Sequence, residues 1–209
     1  MNKVLIVNGA EPKAGVADGS FNEGLISVAK QTLQPFAEVR TTRVMDGYDI
    51  AEEQQKYQWA DLIILQFPVY WFSAPAALKR YIDDVYAHGV FFAGAERYGE
   101  GGLLKGRRYL LSTTWNAAEK AFHPDGGVLA GLAADQVLTS MHITQRYVGL
   151  TPLESFAAFN VIDEPRFEYW AERWRRHINS LYSSPSFELL NGHSPQHIRL
   201  NQADLSPST

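Results

Sequence analysis

The chain has 209 residues, no cysteine, 19 lysines and arginines against 23 aspartates and glutamates, a net charge of −4 and 45% hydrophobic residues. That length suits one domain with a sizeable core, and the composition is that of a globular chain, neither disordered nor collagenous. The acidic balance argues against nucleic acid as a partner, and the lack of thiols excludes disulfides, thiolate catalysis and cysteine-bound metal centres, so redox chemistry would have to come from a bound cofactor.

The opening MNKVLIVNGA lacks the long apolar stretch and small-residue cleavage site of a signal peptide. No apolar run approaches the ~18 residues of a membrane span. The expected location is the cytoplasm.

In chain order, Lys3 to Asn8 is a compact Val/Ile run that predicts a strand buried on both faces. A loop with Pro12, Gly15, Asp18 and Gly19 leads to Ser20, which opens a helix towards Gln34 with Leu25, Ile26, Ala29 and Leu33 at helical spacing. Glu38 to Val44 predicts a second strand, a short helical stretch containing Trp59 follows, and Asp61 to Phe67 repeats the buried-run pattern. Ala74 to Tyr86 reads as a helix with Pro75 in its first turn and Leu78, Tyr81, Ile82 and Val85 on one face. Arg108 to Thr113 predicts a fourth strand, Val128 to Val148 one long helix-like segment, Phe156 to Ile162 a fifth strand, and Pro165 to Tyr182 an amphipathic helix. From Ser183 onward the composition turns polar, giving an extension over 183–209 after a domain over 1–182.

Strands alternating with helices need right-handed crossovers, which place helices on both faces of a doubly wound, five-stranded parallel α/β sheet. Ligands of such sheets sit beyond the carboxyl ends of the strands where the strand order reverses. The first such loop, GAEPKAGVADGSFN, carries neither GxGxxG nor GxxxxGK[ST]. Its glycines, the following helix N-terminus, Ser20 and Asn22 form either a neutral cradle for a diphosphate or a simple N-cap and turn. The second, QFPVYWFSAP, sets Tyr70, Trp71 and Phe72 in succession, either to stack on a flat heterocycle or to form a satellite core or dimer contact. The third, STTWNA, again mixes small donors with an aromatic ring. Three such loops together point to a planar cofactor. His123, in the turn HPDGG, is either a proton donor or a surface residue, and the remaining histidines show no metal-ligand spacing, so no metal is expected.

The segments WADLIILQFP, YWFSAPAALKRYIDDVY, YGEGGLLKGRRYLLSTTWNA and AFNVI resemble the flavodoxin-like quinone reductases, most closely the bacterial "modulator of drug activity B" NADPH:quinone reductases, over residues 1 to 182. SFN and QFPVYWFSAPAALK are also similar to mammalian DT-diaphorase. The resemblance implies a flavodoxin-like fold, FAD rather than FMN, NADPH or NADH as donor, and a quinone or related electrophile as acceptor. It further implies a ping-pong hydride transfer and a homodimer with the active site at the subunit interface. By motif it assigns Asp18, Gly19, Ser20, Phe21 and Asn22 to the FAD diphosphate, and Pro68, Val69, Tyr70, Trp71, Phe72 and Ser73 to the isoalloxazine. Thr114, Trp115, Asn116 and Ala117 complete that frame, and Tyr98 falls near the adenine-ribose side or the partner's flavin. Azo or nitro reduction, an FMN enzyme, electron carriage, or a non-catalytic interaction role are the alternatives on the same fold. Ala118 stands where the family has proline, and the segment between Tyr86 and Tyr98 is short.

Overall fold

A computed structural model describes residues 1–183. Of the extension predicted over 183–209, the part from residue 184 onward, with His193 and His197, lies outside the described residues. Five β-strands were expected and, among the described residues, six are found: β1 (Lys3–Asn8), β2 (Glu38–Arg43), β3 (Leu62–Pro68), β4 (Arg108–Thr114), β5 (Thr151–Pro152) and β6 (Phe156–Ala158). All pair in parallel in the order β2-β1-β3-β4-β5, with β6 also on β4. β5 and β6 thus share one edge lane. The Thr151 and Leu153 amides donate to the Arg107 and Tyr109 carbonyls of the neighbouring segment, so the nitrogen of Pro152 faces the open edge, where proline is tolerated. The lane resumes at Phe156, and the predicted fifth strand ends at Ala158 rather than at Ile162.

The helices are α1 (Ser20–Leu33), α2 (Ile50–Trp59), α3 (Ala76–Val85), α4 (Ala134–Val137), α5 (Thr139–Tyr147) and α6 (Phe167–Ser183). The long helix predicted over 128–148 is instead a short 3-10 turn at Gly127–Leu129 followed by α4 and α5. Gly127 and Gly131 both take positive φ there, which an α-helix does not contain. Pro75 is the N-cap of α3 rather than a first-turn residue.

Alternation along the strands divides the core in two. Val4, Ile6, Leu62, Ile64 and Leu110 meet α1 and α6 on one face, and Leu5, Val7, Ile63, Leu65 and Leu111 meet α2, α3 and α5 on the other. α1 and α6 approach closely because Gly24 has no side chain: a Cβ there would stand 2.5 Å from the Phe167 ring. The Trp174 indole donates to the Leu25 carbonyl at 3.2 Å across the same contact. The second core holds a buried carboxylate, Glu53, which accepts from Thr42 (2.8 Å), Lys56 (2.5 Å) and Tyr81 (2.6 Å). Burial, and then that carboxylate, push the Tyr81 phenol far above its ordinary pKa, so it stays a donor.

The strand order reverses between β1 and β3. The crevice of this topology therefore opens above the carboxyl ends of β1, β3 and β4.

Candidate active site

A cavity of about 1310 Å3 occupies that crevice. One wall is the loop from Pro12 to Gly19 and the first turn of α1. A second is Pro68 to Trp71, a third comprises Thr114 and Asn116, and a fourth comprises Val161, Ile162 and Pro165 beyond β6.

The first wall is a small hairpin, with Lys13 and Ala17 exchanging backbone hydrogen bonds of 2.8 and 3.0 Å, and Gly15 turning at its tip with φ 73°. Gly19, at φ 87°, is the N-cap of α1 and has no side chain to satisfy the helix. Asp18 takes that part by accepting from the Ser20 amide at 2.9 Å. Hydrogen bonds from Ser20's hydroxyl and amide hold the Asp18 carboxyl below its usual range, so it is an anion. The sequence reading assigned both Ser20 and Asp18 to a diphosphate; here Ser20's donors are directed at Asp18. The amides of Phe21 and Asn22 make no hydrogen bond among the described residues and remain available at the positive end of the helix. Lys13 is the cation of this wall.

Asn22 lines the cavity yet is only 4% exposed, because its side chain faces inward. Its Oδ1 accepts from Gln66 Nε2 at 2.8 Å and its Nδ2 donates to Thr114 Oγ1 at 3.1 Å, tying α1 to β3 and β4. Beside it Asn8 donates to Glu23 at 2.7 Å, and Glu23 pairs with Arg43 at 3.0 Å. Sequence reasoning passed over Gln66; the signal was a single polar residue inside the buried run LIILQFP.

The second wall ends in a two-residue hairpin. Tyr70 and Ser73 exchange backbone hydrogen bonds of 3.0 and 3.1 Å, and the two residues between them, Trp71 and Phe72, both have positive φ, 49° and 60°. Turns of this kind favour Asn-Gly, and an aromatic residue in the left-handed region costs roughly 1–2 kcal/mol. The rings are held out at that expense: Trp71 is 89% exposed at the cavity edge. We expect Trp71→Gly to raise unfolding stability by about 1 kcal/mol, measured by urea denaturation. Tyr70 is fixed by its phenol, which donates to the Glu11 carbonyl at 2.8 Å, and by Lys13 Nζ, 4.1 Å from its ring centroid. Pro68 and Val69 line the cavity with it, whereas Phe72 and Ser73 do not.

On the third wall Thr114 and Asn116 line the cavity, while Trp115 and Ala117 do not. Trp115 is 2% exposed, its indole donating to Thr113 at 2.9 Å and packing edge-on to Phe122. Its amide donates to the Ala158 carbonyl at 2.8 Å, so the amides left free here are those of Asn116 and Ala117. The fourth wall was missed because only the loops after strands one, three and four were considered.

Tyr98, 95% exposed, lies away from this cavity on the connection between α3 and β4, its ring 5.6 Å from that of Tyr147. It adjoins a second cleft of about 500 Å3 lined by Lys105, Arg146, Thr151 and Pro152. Thr151 and Pro152 pair with the start of β4, and Thr114 is its end, so the two cavities lie a strand length apart, about 20 Å. His123 is exposed and outside both linings. Among the described residues no group of three or more His, Asp or Glu could hold a metal ion, and no helix is long and apolar enough to cross a membrane.

A doubly wound sheet with an aromatic-walled crevice at its switch point has its candidate site where ligands of such sheets sit. The sequence profile of the flavodoxin-like fold family matches residues 2–178, and the chain belongs to that family. The NADPH:quinone oxidoreductase MdaB of Haemophilus influenzae is 31% identical over 190 residues, spanning 86% of this chain and 98% of the relative. The mouse ribosyldihydronicotinamide dehydrogenase [quinone] is 36% identical over 137 residues, 64% of this chain and 58% of that one. The general stress protein 14 of Treponema denticola, solved in complex with FMN, shares the fold with a TM-score of 0.68 at 21% identity, covering 88% of this chain and 99% of that one.

Proposed function

We propose that this protein is an FAD-dependent NAD(P)H:quinone oxidoreductase. The observation that carries the reading is the shape and chemistry of the cavity. Its volume of about 1310 Å3 exceeds the ~300–1,000 Å3 common for small-ligand pockets, which favours a dinucleotide over a mononucleotide. One wall offers free helix amides and Lys13 to a diphosphate, and the next offers Tyr70 and Trp71 to a flat ring. The similarity to a whole-length NADPH:quinone oxidoreductase supports the same reading.

When bound, FAD would supply the two-electron hydride chemistry that the side chains of a cysteine-free chain do not provide. The protein's part is to bind and orient. The Phe21 and Asn22 amides and Lys13 would hold the diphosphate, with Asp18 setting the geometry of the first turn by holding Ser20. Pro68, Val69 and Tyr70 would wall the ring, and Trp71 would shield its outer side. The free amides of Asn116 and Ala117 would place fixed dipoles near the reacting ring, where negative charge needs support. Because His123 stands outside the cavity, we assign the quinone's protons to solvent. Trp71 and Tyr98 are the exposed ring surfaces that a second copy would cover in a homodimer, and sedimentation at micromolar concentration should return twice the chain mass.

Steady-state kinetics test the activity. NADPH or NADH with menadione should give parallel double-reciprocal plots, as donor and acceptor use one site in turn, and menadione should outpace azo dyes and nitrofurans. Intersecting plots would contradict a shared site. Heat release of the bound flavin followed by chromatography separates FAD from FMN. Trp71→Gly, which relaxes the turn, should bind flavin more weakly than the wild type despite its greater stability.

A further inference from the structure

We infer that Glu11 is a positioning residue that joins the two halves of the flavin site and sets the charge near the Tyr70 wall; the assignment rests on the flavin reading above. Glu11 is half-buried on the loop after β1 and bonds in two directions at once. Its carboxylate Oε2 accepts from the Ala77 amide at 3.1 Å in the first turn of α3. Its main-chain carbonyl accepts from the Tyr70 phenol at 2.8 Å.

α3 needs this partner. Its own N-cap is Pro75, which makes no side-chain cap, and no other side chain bonds the amides of its first turn among the described residues. Glu11 therefore caps the helix from another loop. The arrangement fastens the diphosphate-side hairpin, on β1, to the aromatic turn and the helix that follows it, on β3. Two residues on, Lys13 lies over the opposite part of the same tie, on the Tyr70 ring.

The electrostatic consequence is specific. A helix N-terminus carries roughly half a positive charge, which favours anions nearby. The Glu11 carboxylate offsets it, on the same residue whose carbonyl holds the Tyr70 phenol. Burial, and then the charge of Glu11, raise the Tyr70 phenol above its ordinary pKa, so the field of Glu11 reaches the cavity wall. Two-electron reduction makes a flavin more negative, so a carboxylate here disfavours the reduced form and its removal favours it.

Three variants separate position from charge: Glu11→Gln, which keeps an acceptor for Ala77 but loses the charge, Glu11→Ala, which loses both, and Tyr70→Phe, which breaks only the tie to the carbonyl. FAD is titrated into apoprotein by fluorescence, and the two-electron potential is measured against reference dyes. For Glu11→Ala the FAD dissociation constant should rise about tenfold, and for Tyr70→Phe by about threefold. Glu11→Gln should bind oxidised FAD within about threefold of wild type while its potential moves up by about 15 to 30 mV, equivalent to a three- to tenfold change in the ratio of reduced to oxidised affinity. A role confined to folding would move the denaturation midpoint and leave the potential of Glu11→Gln at the wild-type value, overturning the inference. Wild-type affinity in both Glu11→Ala and Tyr70→Phe would also overturn it. A wild-type protein that takes up no flavin would instead overturn the flavin reading itself.

Discussion

Asn22→Leu will cost about 2–4 kcal/mol of stability and abolish flavin retention. The side chain of Asn22 is the only hydrogen-bond partner of the Gln66 amide among the described residues, since Gln66 Oε1 has none and Nε2 donates to Asn22 alone. Leucine would leave a buried amide wholly unpaired, at about 1–3 kcal/mol, and would also take a partner from Thr114. Because Asn22 sits in the first turn of α1 and lines the cavity, a shift of that turn displaces the free amides that the diphosphate would meet. A double replacement, Asn22→Leu with Gln66→Leu, separates the two effects. Removing both polar partners should recover most of the stability, as an apolar pair is nearly neutral where a half-satisfied one is costly. Flavin retention should not return. Urea denaturation of the three variants, with absorbance of the dialysed protein, measures both.

The second large effect is expected outside the cavity lining. Glu53→Ala leaves the buried Tyr81 and Thr42 hydroxyls without their carboxylate and Lys56 without its counter-ion. Breaking one side of such a buried arrangement costs about 3–5 kcal/mol. The folded fraction should still bind flavin with unchanged stoichiometry, because neither α2 nor Glu53 contributes to the cavity lining. Denaturant midpoints and flavin titration of the refolded protein check the two halves of this expectation. Loss of flavin binding at unchanged stability would contradict it.

Signals carried by neighbouring residues were legible in the sequence, and those carried by distant partners were not. The apolar runs of β1, β3 and β4 were legible because strands covered on both faces need nothing but apolar residues. The β1, β3 and β4 loops were legible because the switch point of a doubly wound sheet follows from strand order. The split edge lane was not, since two- and three-residue strands carry too little pattern to be separated from the loop joining them. The irregular stretch ahead of α4 was signalled by Gly127 and Gly131, but the apolar spacing around them outweighed it.

Within the site, residue types were easier to read than directions. Tyr70 and Trp71 face the cavity, but Trp115, of the same chemistry, turns inward to meet Phe122 and Thr113. No local pattern distinguishes the two, because the rings that hold Trp115, those of Phe122 and Phe159, come from later segments. Asp18 and Ser20 read as two ligand groups and are found bonded to one another. The aromatic turn shows the converse, since its strained backbone could not be inferred from residues that avoid positive φ. Glu11 and Gln66 gave almost no signal, as each acts through a partner distant in sequence.

The most direct measurement is the visible absorbance spectrum of the protein reconstituted with FAD and desalted, recorded before and after anaerobic addition of NADPH. The account predicts one flavin per chain with a band that bleaches on adding the donor and returns with menadione. A protein that passes the column colourless, or keeps a flavin band that no nicotinamide donor bleaches, would contradict it.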